Sequence, residues 1–248
     1  MNILITGSSS GIGMQLARDY LAQSHTVYCC GRNAASLKML ASDFPNLAQI
    51  LCFDVQNRND CQERLTGLPA LDLVILNAGS CEYIDANNFD AEMFERVVNT
   101  NLIGTANCLE FLIPKIRADG SLALMGSSSS YLPLPRAEAY GASKAAIEYL
   151  AKTLAISLKP SVIHVSYIAP GFVQTPLTAL NDFPMPMSVT VEYASKKIRK
   201  GLGKRKFEIY FPVSFIWVLK TIGVLPFVIQ KFLLGKLLQP SKSILKSV

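Results

Sequence analysis

The chain has 248 residues, of which 50% are hydrophobic, so residues 1–248 are predicted to bury one core and form a single domain. The segment Met1–Thr6 is already strand-like, which leaves no room for a signal peptide and predicts a cytoplasmic protein. Six cysteines without a C-x-x-C pair indicate reduced thiols rather than a disulfide framework.

The net charge of +6 is distributed unevenly along the chain. Residues 195–248 contain half of the 24 lysines and arginines but a single acidic residue, Glu208. Such a segment can meet nucleic acid, an acidic membrane surface or only water, and charge alone does not distinguish among these. No nucleic-acid partner is predicted.

Apolar, β-branched runs alternate with segments of helical period along most of the chain. This alternation predicts parallel strands joined by right-handed crossovers, with helices on both faces of the sheet. We therefore predict an α/β fold, a doubly wound parallel sheet of seven strands (a Rossmann fold) in the order 3-2-1-4-5-6-7. The predicted strands are 2–5, 26–30, 48–53, 71–76, 121–125, 162–168 and 207–211, and the predicted helices are 12–23, 34–43, 57–66, 90–117, 138–158 and 189–202.

A glycine-rich turn joins the first predicted strand to the first predicted helix. Gly7 permits a tight turn, Gly11 lets the backbone approach a pyrophosphate, and Gly13 lets the helix pack closely on the strand. The N–H groups at the start of the helix then face the anionic phosphates. Three glycines without this context would indicate only a flexible turn. The residues predicted to bind the cofactor here are Gly7, Ser9, Ser10, Gly11, Ile12 and Gly13.

The second predicted strand ends in Gly31 and Arg32, where an NAD-binding site has a carboxylate for the ribose hydroxyls. A guanidinium suits the 2′-phosphate of NADP(H), whereas an acid would repel it. We therefore predict that Arg32 selects NADP(H) over NAD(H). A solvated surface arginine is the alternative.

Further cofactor contacts are predicted after the third and fourth strands. Asp54, which precedes Val55, can accept a hydrogen bond from the adenine amino group or cap the following helix. Asn77, Ala78 and Gly79 supply small residues beside the cofactor, or form an ordinary turn.

The residues that can carry chemistry stand at the start of the predicted helix 138–158. Tyr140 and Lys144 lie on one face of this helix, one turn apart. A phenol titrates at about 10, but an adjacent ammonium and an oxidised nicotinamide both favour the phenolate. Tyr140 can then exchange a proton with a substrate oxygen, to which Ser127 or Ser128 donates a hydrogen bond. By itself, such a pair is usually a solvated helix face.

Together, these motifs make the chain resemble the short-chain dehydrogenase/reductase family from Met1 to about Phe211. The motifs are T-G-S-S-S-G-I-G (6–13), N-A-G (77–79), N-T-N-L-I-G (99–104), the serine before Y-G-A-S-K, and P-G-F-V-Q-T (170–175). The resemblance implies a catalytic tetrad of Asn101, Ser127, Tyr140 and Lys144, because the family spacing to the tyrosine selects Ser127 over Ser128.

The resemblance also implies roles for individual residues. Asn101 orders a water that links the lysine to solvent, with a helix-interrupting core amide as the alternative. Lys144, like Tyr140, is among the expected cofactor contacts, and it binds the nicotinamide ribose. Residues Pro170, Gly171, Val173 and Thr175 match family positions around the nicotinamide carboxamide.

These features predict an NADP-dependent carbonyl reductase or alcohol dehydrogenase that acts on an apolar, lipid-derived small molecule. A non-catalytic NADP(H)-binding sensor or docking module is the alternative, and the presence of both Tyr140 and Lys144 disfavours it. No metal site is predicted, because His25 and His164 stand at strand starts as structural histidines would.

Two C-terminal regions bear on substrate and partners. Residues 176–205 are predicted to cover the substrate, and their first part, 176–187, reads as an apolar lid stiffened by three prolines, or as a segment that packs only on its own core. Residues 213–248 form an apolar and basic extension whose longest uncharged stretch is too short to span a bilayer.

The extension is predicted to form two short amphipathic helices. Such helices suit internal packing, a dimer contact or peripheral membrane contact, and these alternatives stay open. We expect a homodimer formed by the helices at 90–117 and 138–158, whereas a tetramer is left open.

Overall fold

The computed structural model describes residues 1–235, apart from the side chain of Leu180, and its centre is one parallel sheet. The strand order is β3-β2-β1-β4-β5-β6-β7, which confirms the predicted fold and order. The strands are β1 (Asn2–Thr6), β2 (Thr26–Gly31), β3 (Ala48–Cys52), β4 (Leu71–Leu76), β5 (Ile116–Met125), β6 (His164–Pro170) and β7 (Glu208–Phe211).

Helices cover both faces of the sheet, because each strand buries apolar side chains on both sides. Leu16, Leu37 and Ile198 pack in the core on one face, and Leu65 and Ile147 pack in the core on the other. The helices are α1 (Gly11–Leu21), α2 (Ala34–Asp43), α3 (Arg58–Leu65), α4 (Ala91–Val98), α5 (Gly104–Leu112), α6 (Glu138–Ser157), α7 (Val191–Gly203), α8 (Val213–Gly223) and α9 (Phe227–Gly235).

The prediction of one continuous helix over 90–117 is wrong. A π-helical turn, Asn99–Ile103, separates α4 from α5, and β5 begins at Ile116 rather than at Ser121. The early part of β5 is polar and irregular, since Asp119 has a φ of +65° and the register with β4 shifts. A hydrophobic pattern does not mark such a segment as a strand.

The C-terminal extension begins with the two short helices that the sequence predicts, α8 and α9. The side chain of Gln230 fixes the turn between them, because its Nε2 donates to the carbonyl oxygens of Gly223 (3.0 Å) and Leu225 (2.7 Å). The remainder of the predicted extension, 236–248, lies outside the described residues. Within 1–235, no helix combines the length and apolar character needed to cross a membrane.

Candidate active site

A cavity of about 400 Å³ lies at the carboxyl ends of the strands, where doubly wound sheets bind their ligands. All residues predicted to contact the cofactor line it except Gly13, and Ser127 lines it as well. Asn101, the remaining predicted catalytic residue, does not. The cavity therefore joins the glycine turn at one end to Tyr140 and Lys144 at the other.

The glycine turn is shaped by backbone conformation. Gly7 and Gly11 have φ values of +70° and +53°, in the left-handed region. A Cβ at Gly7 would lie 2.8 Å from Asn77 Nδ2, so no other residue fits there without a shift. Helix α1 has no side-chain cap, which leaves its first N–H groups without a side-chain partner, and its first residues Gly11 and Ile12 line the cavity. Gly13 instead packs against the carbonyl oxygen of Gly7, behind the cavity wall.

The tripeptide after β4 is tied to the end of β1. Asn77 N and Ala78 N donate to the hydroxyl of Thr6 at 2.9 Å and 3.0 Å, and Asn77 Nδ2 donates to the Thr6 carbonyl at 3.0 Å. These bonds hold the two strand ends together under the cavity. Thr6 was not among the predicted site residues, because its partners are distant in sequence.

Arg32 extends along the outer end of the cavity. Its side chain is 69% exposed, and NH1 lies 3.4 Å from Asp54 Oδ2. The other carboxylate oxygen of Asp54 accepts from Gln56 N at 3.0 Å. Helix α3 is capped by Asn57, so Asp54 is not the cap of that helix. Arg32 therefore has a guanidinium that solvent and a ligand can reach.

Tyr140, Ser127 and Lys144 meet at the inner end of the cavity. The Ser127 side chain acts on the Tyr140 hydroxyl and favours the lower pKa of its phenol. Lys144 Nζ donates to the carbonyl oxygen of Met125 at 2.8 Å and lies 5.7 Å from the centroid of the Tyr140 ring. Ser128, the alternative to Ser127, is buried outside the cavity lining.

Burial controls the protonation of this pair. It raises the pKa of Tyr140, and the neighbouring Cys81 thiol adds to the rise, whereas the Ser127 side chain opposes it. Burial also lowers the pKa of Lys144 to about 8, with Cys81 opposing. At neutral pH, the site thus presents a protonated phenol beside a mostly charged amine.

Asn101 stands in the π-helical turn, just behind the cavity. Its Oδ1 accepts from Ser80 N at 2.8 Å, and its Nδ2 donates to the Ser80 carbonyl and to Ser143 Oγ, each at 2.9 Å. A Cβ placed on Gly79 would lie 3.0 Å from Asn101 Oδ1 and 3.4 Å from Lys144 Nζ. Asn101 thus joins three segments around Lys144, and its role toward water stays a prediction.

The predicted lid, 176–187, is held down by aromatic contacts. The ring of Phe183 meets Tyr83 edge-on, with centroids 5.2 Å apart, and lies 6.1 Å from the ring of Phe172. The Tyr83 hydroxyl also donates to Asn181 Oδ1 at 2.9 Å. Tyr83 lies far from the lid in the sequence and was not predicted to reach it.

An ion pair adds to these aromatic contacts. Arg136 donates to both carboxylate oxygens of Asp182, at 2.8 Å and 3.1 Å. The start of the lid lines the cavity, through Pro176, Leu177 and Thr178. The lid therefore packs on the protein and borders the cavity at the same time.

Several of the residues that line the cavity are not marked by the sequence motifs. Some could have been found by position, because they directly follow or end a strand at the carboxyl edge. Others come from a helix or a loop that no local pattern marks. The missed residues are Gly31, Asn33, Phe53, Ser80, Thr100, Met125 and Gly126, whereas the lining residues Pro176, Leu177 and Thr178 belong to the predicted lid.

The histidines lie away from this cavity. His164 Nε2 is 3.1 Å from Asp119, and His25 Nδ1 is 3.5 Å from the N-terminal nitrogen. The six cysteines carry free thiols. In the described part of the chain, no cluster of three or more histidine, cysteine or acidic side chains could hold a metal ion.

The chain is similar in sequence to a family of known dehydrogenases and to individual oxidoreductases. The family model for short chain dehydrogenase matches residues 1–182. An uncharacterized oxidoreductase of Myxococcus xanthus is 31% identical over 90% of this chain and 92% of its own length. The 11-beta-hydroxysteroid dehydrogenase-like 3 of Arabidopsis thaliana is 30% identical over 92% of this chain and 78% of its own.

Two further proteins that the chain resembles are described as NADP-dependent or as bound to NADP⁺. An NADP-dependent 3-hydroxy acid dehydrogenase of Shigella flexneri is 29% identical over 70% of this chain and 73% of its own. The closed form of a serine dehydrogenase complexed with NADP⁺ has a TM-score of 0.78 at 24% identity, covering 86% of this chain and 96% of that one. This structural likeness confirms the fold.

Proposed function

Because the chain belongs to the short chain dehydrogenase family, and is therefore an oxidoreductase, we propose that it transfers a hydride between NADP(H) and an apolar, lipid-derived carbonyl or alcohol compound. The observation that carries this proposal is the cavity that joins the glycine turn to Ser127, Tyr140 and Lys144. Binding of a dinucleotide needs the glycine turn, and proton transfer to or from the substrate needs the three side chains.

The residues present fit an NADP(H) molecule. The uncapped start of α1 and the turn at Gly7 and Gly11 form a cradle for phosphates that a Cβ would fill. Arg32 suits a 2′-phosphate, and Val173 and Thr175, which match family positions around the nicotinamide carboxamide, line the same cavity. When bound, the nicotinamide supplies or accepts the hydride. The NADP dependence named for the Shigella flexneri relative supports this nucleotide.

The proposed acid and base is Tyr140. Because burial keeps its phenol protonated, Tyr140 is suited to give a proton to the substrate oxygen during reduction. Ser127 then donates a hydrogen bond to the same oxygen, and Lys144 lowers the cost of the phenolate that is left. In the oxidative direction, Tyr140 accepts the proton from the alcohol.

The apolar substrate class rests on the lid. Phe183 and Tyr83 form an aromatic cluster at the lid, and the lid residue Leu177 lines the same cavity as Tyr140. The name of the Arabidopsis thaliana relative, a hydroxysteroid dehydrogenase-like protein, supports a bulky apolar substrate.

Replacement of Tyr140 by phenylalanine tests the proposal. Tyr140→Phe removes the proton donor and should lower kcat for NADPH-dependent reduction by about 100-fold or more, whereas NADPH affinity should stay nearly unchanged. The measurement is NADPH absorbance with a panel of aldehydes and ketones, together with fluorescence titration of NADPH. Tyr193→Phe, on α7, is the matched control. Normal turnover by Tyr140→Phe would contradict the mechanism, and NADPH binding without turnover of any compound by the unmodified protein would favour a sensor.

A further inference from the structure

The hairpin of α8 and α9 has a packed inner face. Leu219 and Leu234 are buried against Leu132 in a small core of their own. A Cβ at Gly223 would overlap the carbonyl oxygen of Tyr131, so the end of α8 approaches the loop after β5 closely. The hairpin is therefore fixed to the body of the protein.

The outer face of this hairpin is apolar. Trp217, on α8, is 57% exposed, and Val224 and Val228 are 82% and 79% exposed. A surface helix usually buries its apolar side chains and exposes its polar ones. Helix α9 instead buries the amide of Gln230 and exposes Phe227 and Val228. We call Trp217, Val218, Val224, Phe227, Val228 and Leu233 the hairpin face.

Basic residues accompany the hairpin face. No acidic residue follows Glu208 in the sequence, whereas lysines stand at 220, 231, 236, 242 and 246. Lys220 is paired with Glu208 at 2.6 Å, and Lys231 on α9 is exposed. Among the lysines named, Lys231 is therefore the exposed cation of the described hairpin, and the sequence that follows it adds lysines and no acid.

We propose that the hairpin face docks in the interface of an anionic lipid membrane. Short helices with exposed apolar side chains and flanking lysines have the composition of helices that lie in the plane of the interface. Trp217 is of the residue type enriched at that depth, and lysines gain free energy near anionic headgroups. A second copy of the chain fits less well, because it would bring a second Lys231 to the same face and no acidic residue of the hairpin to pair with it.

Docking would place the lid near the membrane. Phe215 of α8 lies 5.7 Å, centroid to centroid, from Phe172, which in turn lies 6.1 Å from Phe183 of the lid. A membrane-bound hairpin thus holds the cavity close to a reservoir of apolar compounds. Docking itself does not depend on the proposed reaction. The experiment below measures vesicle binding directly and needs no enzymatic turnover.

The only tryptophan of the sequence, Trp217, reports directly on this face. The full chain is mixed with vesicles of phosphatidylcholine alone or with phosphatidylserine added. We expect flotation with the anionic vesicles, a blue shift of Trp217 emission and quenching by lipids brominated near the headgroup. Raised salt should weaken binding, because the lysines contribute through screened charges.

Variants separate docking from other causes. Val224→Asp with Val228→Asp should weaken vesicle binding by at least about tenfold, because two exposed apolar side chains can no longer be buried. Met39→Asp with Ser42→Asp adds the same charge on α2 and should bind like the unmodified chain. The proposal is overturned if the full chain does not float with anionic vesicles. It is also overturned if Trp217 emission shifts with protein concentration alone and sedimentation shows a dimer that the hairpin variant abolishes.

Discussion

Arg32 is the residue on which cofactor preference depends. Its long contact to Asp54 and its exposure mean that a substitution should spare the fold. Arg32→Asp puts a carboxylate where a 2′-phosphate would lie, and NADPH affinity should fall by about 10- to 100-fold while NADH affinity does not fall. Fluorescence titration with both nucleotides measures the change, and Arg64→Asp on α3 is the control. If the unmodified chain binds NADH as tightly as NADPH, the role given to Arg32 is wrong.

Lys144 should make stability depend on pH. Its pKa is about 8 in the folded protein, against 10.5 ordinarily, so the unfolded chain binds more protons between these values. The free energy of unfolding then rises with pH through this window, by at most about 1.4 kcal/mol per pH unit. Below pH 8, both states hold the proton and the contribution is constant.

Lys144→Met removes this dependence. Urea unfolding from pH 7 to 10 should show the unmodified protein gaining stability relative to the variant only above pH 8. Lys204→Met, an exposed lysine after α7, is the control and should parallel the unmodified protein. A constant difference between Lys144→Met and the unmodified protein across this range would show that Lys144 keeps its ordinary pKa.

Local spacing explains which residues could be predicted. Tyr140 and Lys144 share a helix turn, and the glycines share one loop, so the sequence alone brings them together. The partners of Asn101 were not predictable in this way, because Ser80 and Ser143 reach it from two other segments. Side chains that hold a site in place are found mainly through long-range contacts.

At the scale of elements, the strands were predicted well and the interruptions were not. The π-helical turn at Asn99–Ile103 has the hydrophobic period of its neighbours, so the pattern of 90–117 reads as one helix. Helices interrupted in this way occur often at functional sites, and this turn carries Asn101. The polar start of β5 was not predicted as a strand, because its sequence lacks strand character. It is a strand because it pairs with β4.

The lid depends on Phe183, which contacts two other rings. Phe183→Ala removes both aromatic pairs, each of which contributes about 0.5–1.5 kcal/mol beyond burial. Amide hydrogen exchange in the lid should become faster by about tenfold, and KM for large apolar aldehydes should change more than KM for small ones. Phe89→Ala, which removes a ring pair with Phe94 outside the lid, is the control. Unchanged exchange in Phe183→Ala would mean that other contacts hold the lid.

At the scale of the whole molecule, the sheet order determines where chemistry can occur. The chain leaves β1 for β2 and β4 for β5, towards opposite edges of the sheet, and the cavity opens at the carboxyl ends of these two neighbouring strands. This arrangement follows from the alternation of strands and helices and was predictable. The surfaces that meet partners were less so, because an exposed apolar residue has the same sequence signal as a buried one.

The predicted homodimer places a second copy on α6. Tyr149 and Ile156 are 73% and 76% exposed and lie two turns apart on one face of α6. The same helix carries Tyr140 and Lys144. Tyr149→Glu with Ile156→Glu should convert the dimer to a monomer in sedimentation measurements, because charges would be buried without partners. The hairpin variant Val224→Asp with Val228→Asp, on another surface, should remain a dimer. A dimer that persists in the α6 variant would show that the interface lies elsewhere. A monomer with a lower kcat would indicate that the partner subunit stabilises α6, the helix of the proposed proton donor Tyr140.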